Sequence, residues 1–288
     1  MGVPIYLMRK RAMGDVLWME PLIRQLAATH TNVIVSTKNK DLFAHYPLPN
    51  VRFADKLNFL EKLLFRLRAP RFINLEGAYE KRPRMHLLHA YQEEAGLPLT
   101  NEYPRLYLSE AEKKMYAAET PYVVLSLDSA SSRNYRKVYG VDWAQVVTFL
   151  QSRGIRVIYA GIKAPGIPGV IHYKTSVREL VALIYNCALF IGVDSAPSHI
   201  AASLHKPSLL FFGAVNPDFR HFRDIFNGII MQQPCEYAGC YHESANTIDG
   251  TVCRLVGDEG IPKCSVHSTA EVIVNIQKLL SSYDFESS

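Results

Sequence analysis

The stretch ALFIGVDSAPSHIAASLHKPSLLFFG, residues 188–213, changes its hydrophobic pattern twice. It begins with ALFIGVD, a short apolar run that predicts a buried strand. SHIAASLH then has the small and apolar residues of a helix that lies close to a sheet, and PSLLFFG predicts the next strand. A strand, a helix and a second strand in this order indicate a parallel α/β sheet.

The same alternation continues on the N-terminal side of this stretch. Strands are predicted for YVVLSLD (122–128) and IRVIYAG (155–161), and helices for VDWAQVVTFLQSRG (141–154) and SVRELVALIYNC (176–187). Thr175 or Ser176 can cap the second helix, and Glu179 follows Ser176 at the spacing of a capping box.

A separate block with the same order opens the chain. VPIYLMR and NVIVST predict two strands, and GDVLWMEPLIRQLAATH between them predicts one helix. We therefore expect an N-terminal domain at residues 1–115 and a C-terminal domain at residues 120–265, joined by a charged segment that contains proline. Residues 266–288 predict a final helix, which could return to pack on the first domain.

The composition excludes several classes of protein. Hydrophobic residues make up 48% of the 288 residues, which is enough for sizeable cores, and no apolar run is long enough to span a membrane. At the N-terminus an apolar run precedes the basic residues, the reverse of a signal peptide, so we expect a cytoplasmic protein. The net charge of +5 permits partners rich in phosphate, such as lipopolysaccharide at the inner face of a membrane, and does not exclude nucleic acid.

Polar residues follow several of the predicted strands. Asp15 lies after the first strand, and Asp128 and Asp194 follow two strands of the second block. Because the carboxyl ends of parallel strands are where such sheets bind ligands, we expect a site there. The start of the helix after Asp194 favours an anion. The alternative is that Asp15, Asp194 or Ser195 only caps the helix that follows it.

Three segments resemble one family of enzymes. FIGVDSAPSHIAASLHKPSLLFFGAVNP (190–217) is similar to the donor-binding signature of glycosyltransferase family 9, the ADP-heptose:lipopolysaccharide heptosyltransferases and their relatives. RAMGDVL (11–17), with Pro21 after it, resembles the Gly-Asp loop of that family. SSRNYRK (131–137) resembles its segment with a phosphate-binding lysine. The resemblance covers most of the chain.

This resemblance implies an α/β GT-B fold, with two Rossmann-like doubly wound domains facing a cleft. It implies an inverting glycosyltransferase that moves a sugar, most plausibly heptose, from a nucleotide-diphosphate sugar such as ADP-heptose to a hydroxyl of a glycan or lipopolysaccharide-core acceptor. Asp15 would be the general base that removes the hydroxyl proton, and Lys137 would meet the donor phosphates. Catalysis would need no metal or other cofactor, and any membrane contact would be peripheral.

The resemblance also indicates which residues form the two halves of the site. The donor is expected to bind Ser129, Arg133, Arg136, Lys137, Gly161, Asp194, Ser195, Ala196, Ser198 and His199. The acceptor is expected to bind Gly14, Glu76, Glu80, Arg82 and Arg84. Ala196 departs from the family, which often has glycine there, and the N-terminal block is shorter than in typical lipopolysaccharide heptosyltransferases. The acceptor is therefore less well defined than the donor.

Four of the five cysteines lie near the C-terminus: Cys235, Cys240, Cys253 and Cys264. Thiolates spaced in this way could hold a structural Zn or Fe, with His242 or His267 in place of one cysteine. Free thiols are a second interpretation. Disulfides are a third, and they are less favoured because we expect no secretion. Cys187 stands apart in an apolar stretch and is predicted to be a small buried side chain.

Two other functions fit the same residues. The fold could serve another nucleotide-sugar and a protein or nucleic-acid acceptor. The chain could also be a relative that binds nucleotides or glycans without turnover. The presence of both Asp15 and Lys137 argues against the binding-only function.

Overall fold

The computed structural model describes residues 4–66, 71–118, 120–129, 133–242, 253–257 and 259–281. The chain divides into two compact units after Ser109. Unit 1 comprises the described residues up to Ser109 together with the segment Asp218–Phe222, and unit 2 comprises the remaining described residues. The domain boundaries predicted at residues 115–120 and 265 stay predictions.

Unit 1 is built on a sheet of four parallel strands in the order β3-β2-β1-β4. The strands are β1 (Ile5–Met8), β2 (Val33–Ser36), β3 (Val51–Ala54) and β4 (Arg71–Asn74). The helices are α1 (Met13–Leu17), α2 (Glu20–Thr29), α3 (Phe59–Arg66) and α4 (Leu87–Ala95). Strand β2 is wholly buried, and β1 is buried at three of its four residues, which gives unit 1 a core on both sides of its central strands.

The helix predicted after β1 is broken into two. Helix α1 ends at Leu17, and α2 begins at Glu20. Pro21 lies in the first turn of α2, where its missing N–H is tolerated. In one continuous helix that N–H would donate to the carbonyl of Leu17, so the proline accounts for the break. Trp18 lies at the break and is wholly buried.

Unit 2 is built on a sheet of six parallel strands in the order β10-β9-β8-β5-β6-β7. The strands are β5 (Tyr122–Ser126), β6 (Arg156–Ala160), β7 (Ile171–Tyr173), β8 (Leu189–Val193), β9 (Ser208–Phe211) and β10 (Gly228–Met231). The helices are α5 (Glu110–Met115), α6 (Trp143–Gln151), α7 (Val177–Asn186), α8 (Ala196–Ser203) and α9 (Thr269–Ser281). The predicted α/β alternation of this half of the chain is confirmed.

The capping box predicted at the start of α7 is present. The hydroxyl of Ser176 accepts a hydrogen bond from the backbone N–H of Glu179 at 3.3 Å. The backbone N–H of Ser176 donates to the Glu179 carboxylate at 2.7 Å. Two N–H groups at the helix start are thereby satisfied.

The last helix, α9, belongs to the core of unit 2. Val272 and Ile276 are wholly buried and lie in one apolar cluster with Val146 of α6 and Leu209 of β9. The return of this helix to the first domain, which the sequence allows, stays a prediction. The helix buries residues three and four positions apart, which form one stripe that fits over the sheet of unit 2.

None of the helices within the described residues combines the length and the apolarity that crossing a bilayer would need.

Candidate functional site

Each sheet has one point at which the order of its strands reverses. In unit 1, β2 and β3 lie on one side of β1, and β4 lies on the other. In unit 2, β6 and β7 lie on one side of β5, and β8 begins the other side. Open α/β sheets bind ligands at such a point, beyond the carboxyl ends of the two strands. The topology therefore gives one candidate site in each unit.

The site of unit 1 is an acidic cluster, formed by Arg9, Asp15, Glu76 and Glu80. Arg9 is the first residue after β1, and Glu76 follows β4 after one residue. The Arg9 side chain is 7% exposed, and its Nη2 forms an ion pair with Asp15. Its Nη1 lies 3.2 Å from Glu76 Oε2, and Nη2 lies 3.6 Å from Glu80 Oε1. One guanidinium therefore holds three carboxylates at the strand reversal.

Asp15 reaches this cluster from the first turn of α1. Ala12 precedes the helix with φ of +59°, a backbone region that residues other than glycine seldom adopt. This turn brings the chain back towards the end of β1. The Asp15 side chain keeps 20% of its surface exposed, so its carboxylate can meet a ligand while Arg9 holds it.

Charges in the cluster perturb one another. Burial by itself lowers the pKa of Arg9, but the neighbouring Tyr91, Asp15 and Glu80 outweigh it and raise that pKa above its ordinary value. Arg9 therefore stays charged. Burial raises the pKa of the Glu80 carboxyl, and the negative charge of Asp15 adds to the rise, although Arg9 and Arg220 oppose it.

Aromatic and basic side chains surround the cluster. Arg9 lies over the ring of Tyr79 with 5.9 Å from Cζ to the ring centre, and Arg220 lies over the same ring at 5.0 Å. Tyr91 of α4 is wholly buried, and that burial raises its pKa well above the ordinary value. Arg220 belongs to the segment 218–222, which is part of unit 1 although the chain on both sides of it belongs to unit 2.

The site of unit 2 lies beyond β5 and β8 and has Arg136 and Asp194 at its centre. Asp194 directly follows β8 and is 5% exposed. Arg136 Nη1 donates to the backbone carbonyl of Asp194 at 3.1 Å and lies 3.5 Å from its Oδ2. His199 Nε2 lies 3.8 Å from Asp194 Oδ1. A buried carboxylate thus holds two side chains that the sequence assigned to the donor.

Helix α8 begins beside Asp194. Ser195 precedes its first residue, Ala196, and Pro197 lies in the first turn. The hydroxyl of Ser198 donates to the carbonyl of Ser195 at 2.7 Å and accepts from the N–H of Ser195 at 3.3 Å. Ser198 is wholly buried, so its hydroxyl fixes the turn from within. The helix has eight residues, and its N-terminus is the positive end of the dipole.

Two glycines allow close packing around this site. A Cβ at Gly213, beyond β9, would overlap the carbonyl oxygen of Tyr135 and lie 2.5 Å from Ser265 Oγ. A Cβ at Gly161, beyond β6, would overlap the ring of Tyr159 and lie 2.8 Å from Asp128 Oδ2. Gly213 therefore lets the turn Asn134–Arg136 approach the end of β9.

The structure brings some of the predicted site residues together and leaves others apart. Asp15, Glu76 and Glu80 meet on Arg9, and Arg136, Asp194 and His199 form one group. Of the other predicted residues, Gly14 is buried in α1, and Arg82 forms ion pairs with Glu93 and Glu94 of α4. Arg84 and Lys137 are exposed. The half-buried ones are Ser129, Arg133, Gly161, Ser195 and Ala196. Residues 131 and 132, the first two of the third resembling segment, lie outside the described residues.

The sequence analysis did not predict three residues of this site. Arg9 belongs to the acidic cluster, and Tyr79 and Arg220 lie beside it. The sequence did signal Arg9, because it is the first charged residue after a predicted strand, but its position beside β4 depends on the strand order. Nothing in the sequence signals that Arg220 joins unit 1.

The C-terminal cysteines are not gathered into a metal site within the described residues. All five cysteines of the chain are free thiols, with Cys253 and Cys264 buried and Cys235 and Cys240 half-buried. Burial raises the pKa of Cys264, and the neighbouring thiols of Cys235 and Cys253 add to that rise. Within the described part of the chain, no group of three or more His, Cys, Asp or Glu side chains could hold a metal ion. The structure therefore assigns no Zn or Fe to these residues.

Comparison with known proteins finds similarity to one family. Residues 168–233 match the model of glycosyltransferase family 9 (heptosyltransferase). The chain is 38% identical over 109 residues to lipopolysaccharide heptosyltransferase 3 of Escherichia coli, an alignment that covers 38% of this chain and 28% of that relative. It is 33% identical over 149 residues to the protein of that name from strain K12, covering 43% and 42% of the two chains. The chain is therefore similar to glycosyltransferase family 9 over part of its length.

These alignments span less than half the length of either relative. The family segment at residues 168–233 contains β8, α8, β9 and Asp194. The site that the topology places beyond β8 therefore lies in the part of the chain that matches the family model.

Solved structures share the fold of this chain. The iron-containing dodecameric glycosyltransferase TibC from enterotoxigenic E. coli H10407 has a TM-score of 0.77 at 19% identity, covering 98% of this chain and 77% of that one. TibC in complex with ADP-D-β-D-heptose has a TM-score of 0.78 at 18% identity, covering 100% and 79%. Two parallel α/β units in one chain are the architecture of the GT-B glycosyltransferases, so the predicted fold class is confirmed.

Proposed function

We propose that this protein is an inverting glycosyltransferase that moves heptose from ADP-heptose to a hydroxyl of a lipopolysaccharide-type glycan. The observation that carries the proposal is the group of Arg136, Asp194 and the start of α8 at the strand reversal of unit 2, within the segment that matches the family. The similarity to TibC, whose structure was solved with ADP-D-β-D-heptose, supports the choice of donor.

Unit 2 supplies the groups that a leaving nucleoside diphosphate needs. As the bond between the sugar and the diphosphate breaks, negative charge develops on the phosphate oxygens. Arg136 and the N-terminus of α8 offer positive charge and N–H donors there, and Lys137 is exposed next to Arg136. A carboxylate next to a diphosphate would repel it, so in this proposal Asp194 acts by orienting Arg136 and His199.

Unit 1 supplies the proton acceptor. The attacking hydroxyl of the acceptor must lose its proton as its oxygen bonds to the anomeric carbon. In this proposal the Asp15 carboxylate takes that proton, the new C–O bond forms, and the diphosphate leaves with the electrons of the broken bond. Arg9 fixes the direction of the carboxylate through a charge-assisted contact. Glu76 is the most exposed of the three carboxylates in the cluster and is available to acceptor hydroxyls.

The same proposal includes the place of action and the acceptor. The acceptor is a lipopolysaccharide-core glycan because the curated relatives are lipopolysaccharide heptosyltransferases. The reaction then takes place in the cytoplasm, at the inner face of the membrane, with peripheral contact. The surplus of basic residues in the chain favours a phosphorylated acceptor surface.

The test has a binding step and a turnover step. Binding is measured by the thermal shift with ADP, GDP and UDP, and we expect ADP to stabilise the fold most. Turnover is measured as ADP release from ADP-heptose in the presence of heptose-deficient lipopolysaccharide core. We expect Asp15→Asn to keep its ADP affinity and to lose transfer by about a hundredfold or more. If the wild-type protein binds ADP but forms no ADP from ADP-heptose with any acceptor, only the binding-only function remains.

A further inference from the structure

Helix α3 of unit 1 turns an apolar face towards solvent. Phe59 is 82% exposed, Leu60 61% and Leu63 40%, and Phe59 is the most exposed large apolar side chain in the described part of the chain. Since an α-helix has 3.6 residues per turn, the three lie within about 100° of its circumference and form one face. A stripe of this width usually packs on a core. Exposed, it marks a surface that binds a partner.

The opposite side of α3 is polar and faces unit 1. Glu61 is 8% exposed and forms an ion pair with Arg52 of β3. Its Oε2 also accepts from the backbone N–H of Asn58 at 2.8 Å, and Asn58 Oδ1 accepts from the N–H of Glu61 at 2.8 Å. This is the reciprocal pattern of a capping box. Polar contacts therefore fix the first turn of α3, while its apolar side chains are exposed.

The charge around the outward face is positive. Lys62 is exposed and borders the apolar side chains, and Lys56 is exposed just before the helix. The acids nearby are paired: the one carboxylate of α3 has its arginine, and Asp55 Oδ1 lies 3.4 Å from Lys40 Nζ. In the sequence, residues 66–71 read RLRAPR and add three arginines. An apolar face bordered by basic residues is typical of a helix that lies in the surface of a membrane.

We propose that the outward face of α3 is the surface with which this protein binds a bilayer that carries anionic lipids. Phe59, Leu60 and Leu63 enter the boundary between headgroups and acyl chains, and Lys56 and Lys62 meet the headgroup charge. The inference rests on the proposed function for the peripheral membrane contact and names the element that makes it. A second copy of this chain fits the face less well, because two copies of one positive surface repel each other.

The first turn of α3 lies at the edge of the sheet that carries the acidic cluster. Strands β3 and β1 are parallel, so both end at this edge, and α3 is the helix that follows β3. Lys10, which directly follows Arg9, donates from Nζ to the backbone carbonyl of Asp55 at 2.8 Å, and Asp55 is the first residue after β3. A bilayer bound at Phe59 and Leu60 therefore brings a membrane-anchored acceptor to the edge of unit 1 that holds the proposed base.

The test is sedimentation of the whole chain with lipid vesicles, made of phosphatidylcholine alone or with added phosphatidylglycerol. We expect the wild type to bind the anionic vesicles, and Phe59→Gln to bind them about tenfold more weakly, because one large apolar side chain no longer enters the bilayer. Glutamine forms helices well, so the fold should be unchanged. Ile162→Gln is the matched control, since Ile162 is 75% exposed in unit 2 and should not affect binding.

A second pair of variants tests the charge. Lys62→Gln should weaken binding to the anionic vesicles about fivefold and leave binding to the neutral vesicles unchanged. Lys114→Gln, also an exposed lysine on a helix, should bind as the wild type does. Added salt should weaken binding of the wild type to anionic vesicles, because salt screens exposed charges.

Three results would overturn the membrane surface. The first is a wild type that sediments with neither kind of vesicle. The second is Phe59→Gln that binds as well as the wild type, or no more weakly than Ile162→Gln. The third is light scattering that shows an oligomer of the wild type, lost in Phe59→Gln, with vesicle binding unchanged, because a second copy would then cover the face.

The vesicles contain no acceptor, so these results do not depend on the proposed transfer. If Asp15→Asn keeps wild-type turnover, the assignment of the base fails and the membrane surface stands. If vesicle binding does not depend on Phe59, the membrane surface fails and the assignment of the base stands.

Discussion

The Arg136 side chain contacts both the backbone carbonyl and the side-chain carboxylate of Asp194. One nitrogen, Nη1, donates to the Asp194 carbonyl at 3.1 Å and lies 3.5 Å from the carboxylate. The two residues are 58 positions apart in sequence and lie at the ends of different segments beyond β5 and β8. The contact therefore sets the position of a basic side chain at the strand reversal of unit 2.

We expect Asp194→Asn to weaken ADP binding about tenfold, which corresponds to about 1.4 kcal/mol. The substitution keeps the size of the side chain but removes the charge that orients Arg136 and His199. Isothermal titration calorimetry with ADP measures the change. Asp142→Asn is the matched control, because Asp142 is a cap of α6 in the same unit and asparagine caps a helix equally well. Equal affinities in wild type and Asp194→Asn would contradict this role of Asp194.

Gly213→Ala should destabilise unit 2 and weaken ADP binding. The added Cβ would overlap the backbone carbonyl of Tyr135, so the turn that carries Arg136 must move. Overpacking of this kind costs about 1–3 kcal/mol. Thermal unfolding and ADP calorimetry on the same samples measure the two effects.

Gly154→Ala is the control for Gly213→Ala. Gly154 has φ of +72°, so alanine is strained there, but its Cβ would meet no atom within 4 Å. It should lower stability and leave ADP affinity unchanged. If Gly213→Ala also left ADP affinity unchanged, the position of the turn would not matter for the nucleotide.

The strands that the sequence predicted are the central ones. They carry short, nearly continuous apolar runs because both faces are buried, as in β8, where all five residues are buried. The missed strands, β3, β4, β7 and β10, all lie at the edges of the two sheets. Three of them have burial patterns that are mostly half-exposed, so their sequences lack the apolar run that marks a central strand.

The candidate sites could be predicted only in part for a related reason. Asp15 and Asp194 follow central strands, so local sequence was enough to find them. The contact between Arg9 and Glu76 spans 67 positions and requires that β4 lie beside β1. No local pattern encodes the neighbour of an edge strand, and none places Arg220 in unit 1.

Glu20→Gln should destabilise unit 1 strongly. The Glu20 side chain is wholly buried and accepts from Arg24 Nε at 2.8 Å and from the backbone N–H of Arg105 at 2.8 Å. Glutamine is a weaker acceptor for these buried donors, although Arg24 keeps Glu102 as a partner at 2.6 Å, so the change should cost about 1–3 kcal/mol. Unfolding in urea, followed by circular dichroism, measures the loss.

The matched control for Glu20 is Glu110→Gln. Glu110 and Lys113 also form an ion pair within one helix, but the Glu110 side chain is 78% exposed. Water screens this pair, so the substitution should leave the unfolding midpoint unchanged. A similar loss in both variants would mean that burial does not set the strength of these pairs.

The thiols should differ sharply in their reaction with iodoacetamide. Cys187 is 1% exposed, as the sequence predicted, and burial raises its pKa to about 12. Because the thiolate is the reactive form, only about one in ten thousand Cys187 side chains is reactive at pH 8. That fraction grows about tenfold for each pH unit up to the raised pKa, so Cys187 should react faster as the pH rises. Cys235 and Cys240 are half-buried and should be modified first at pH 8, as mass spectrometry of the intact and digested protein can show. In urea all five thiols should react at similar rates, and modification of Cys187 as fast as Cys235 in the native protein would contradict its burial.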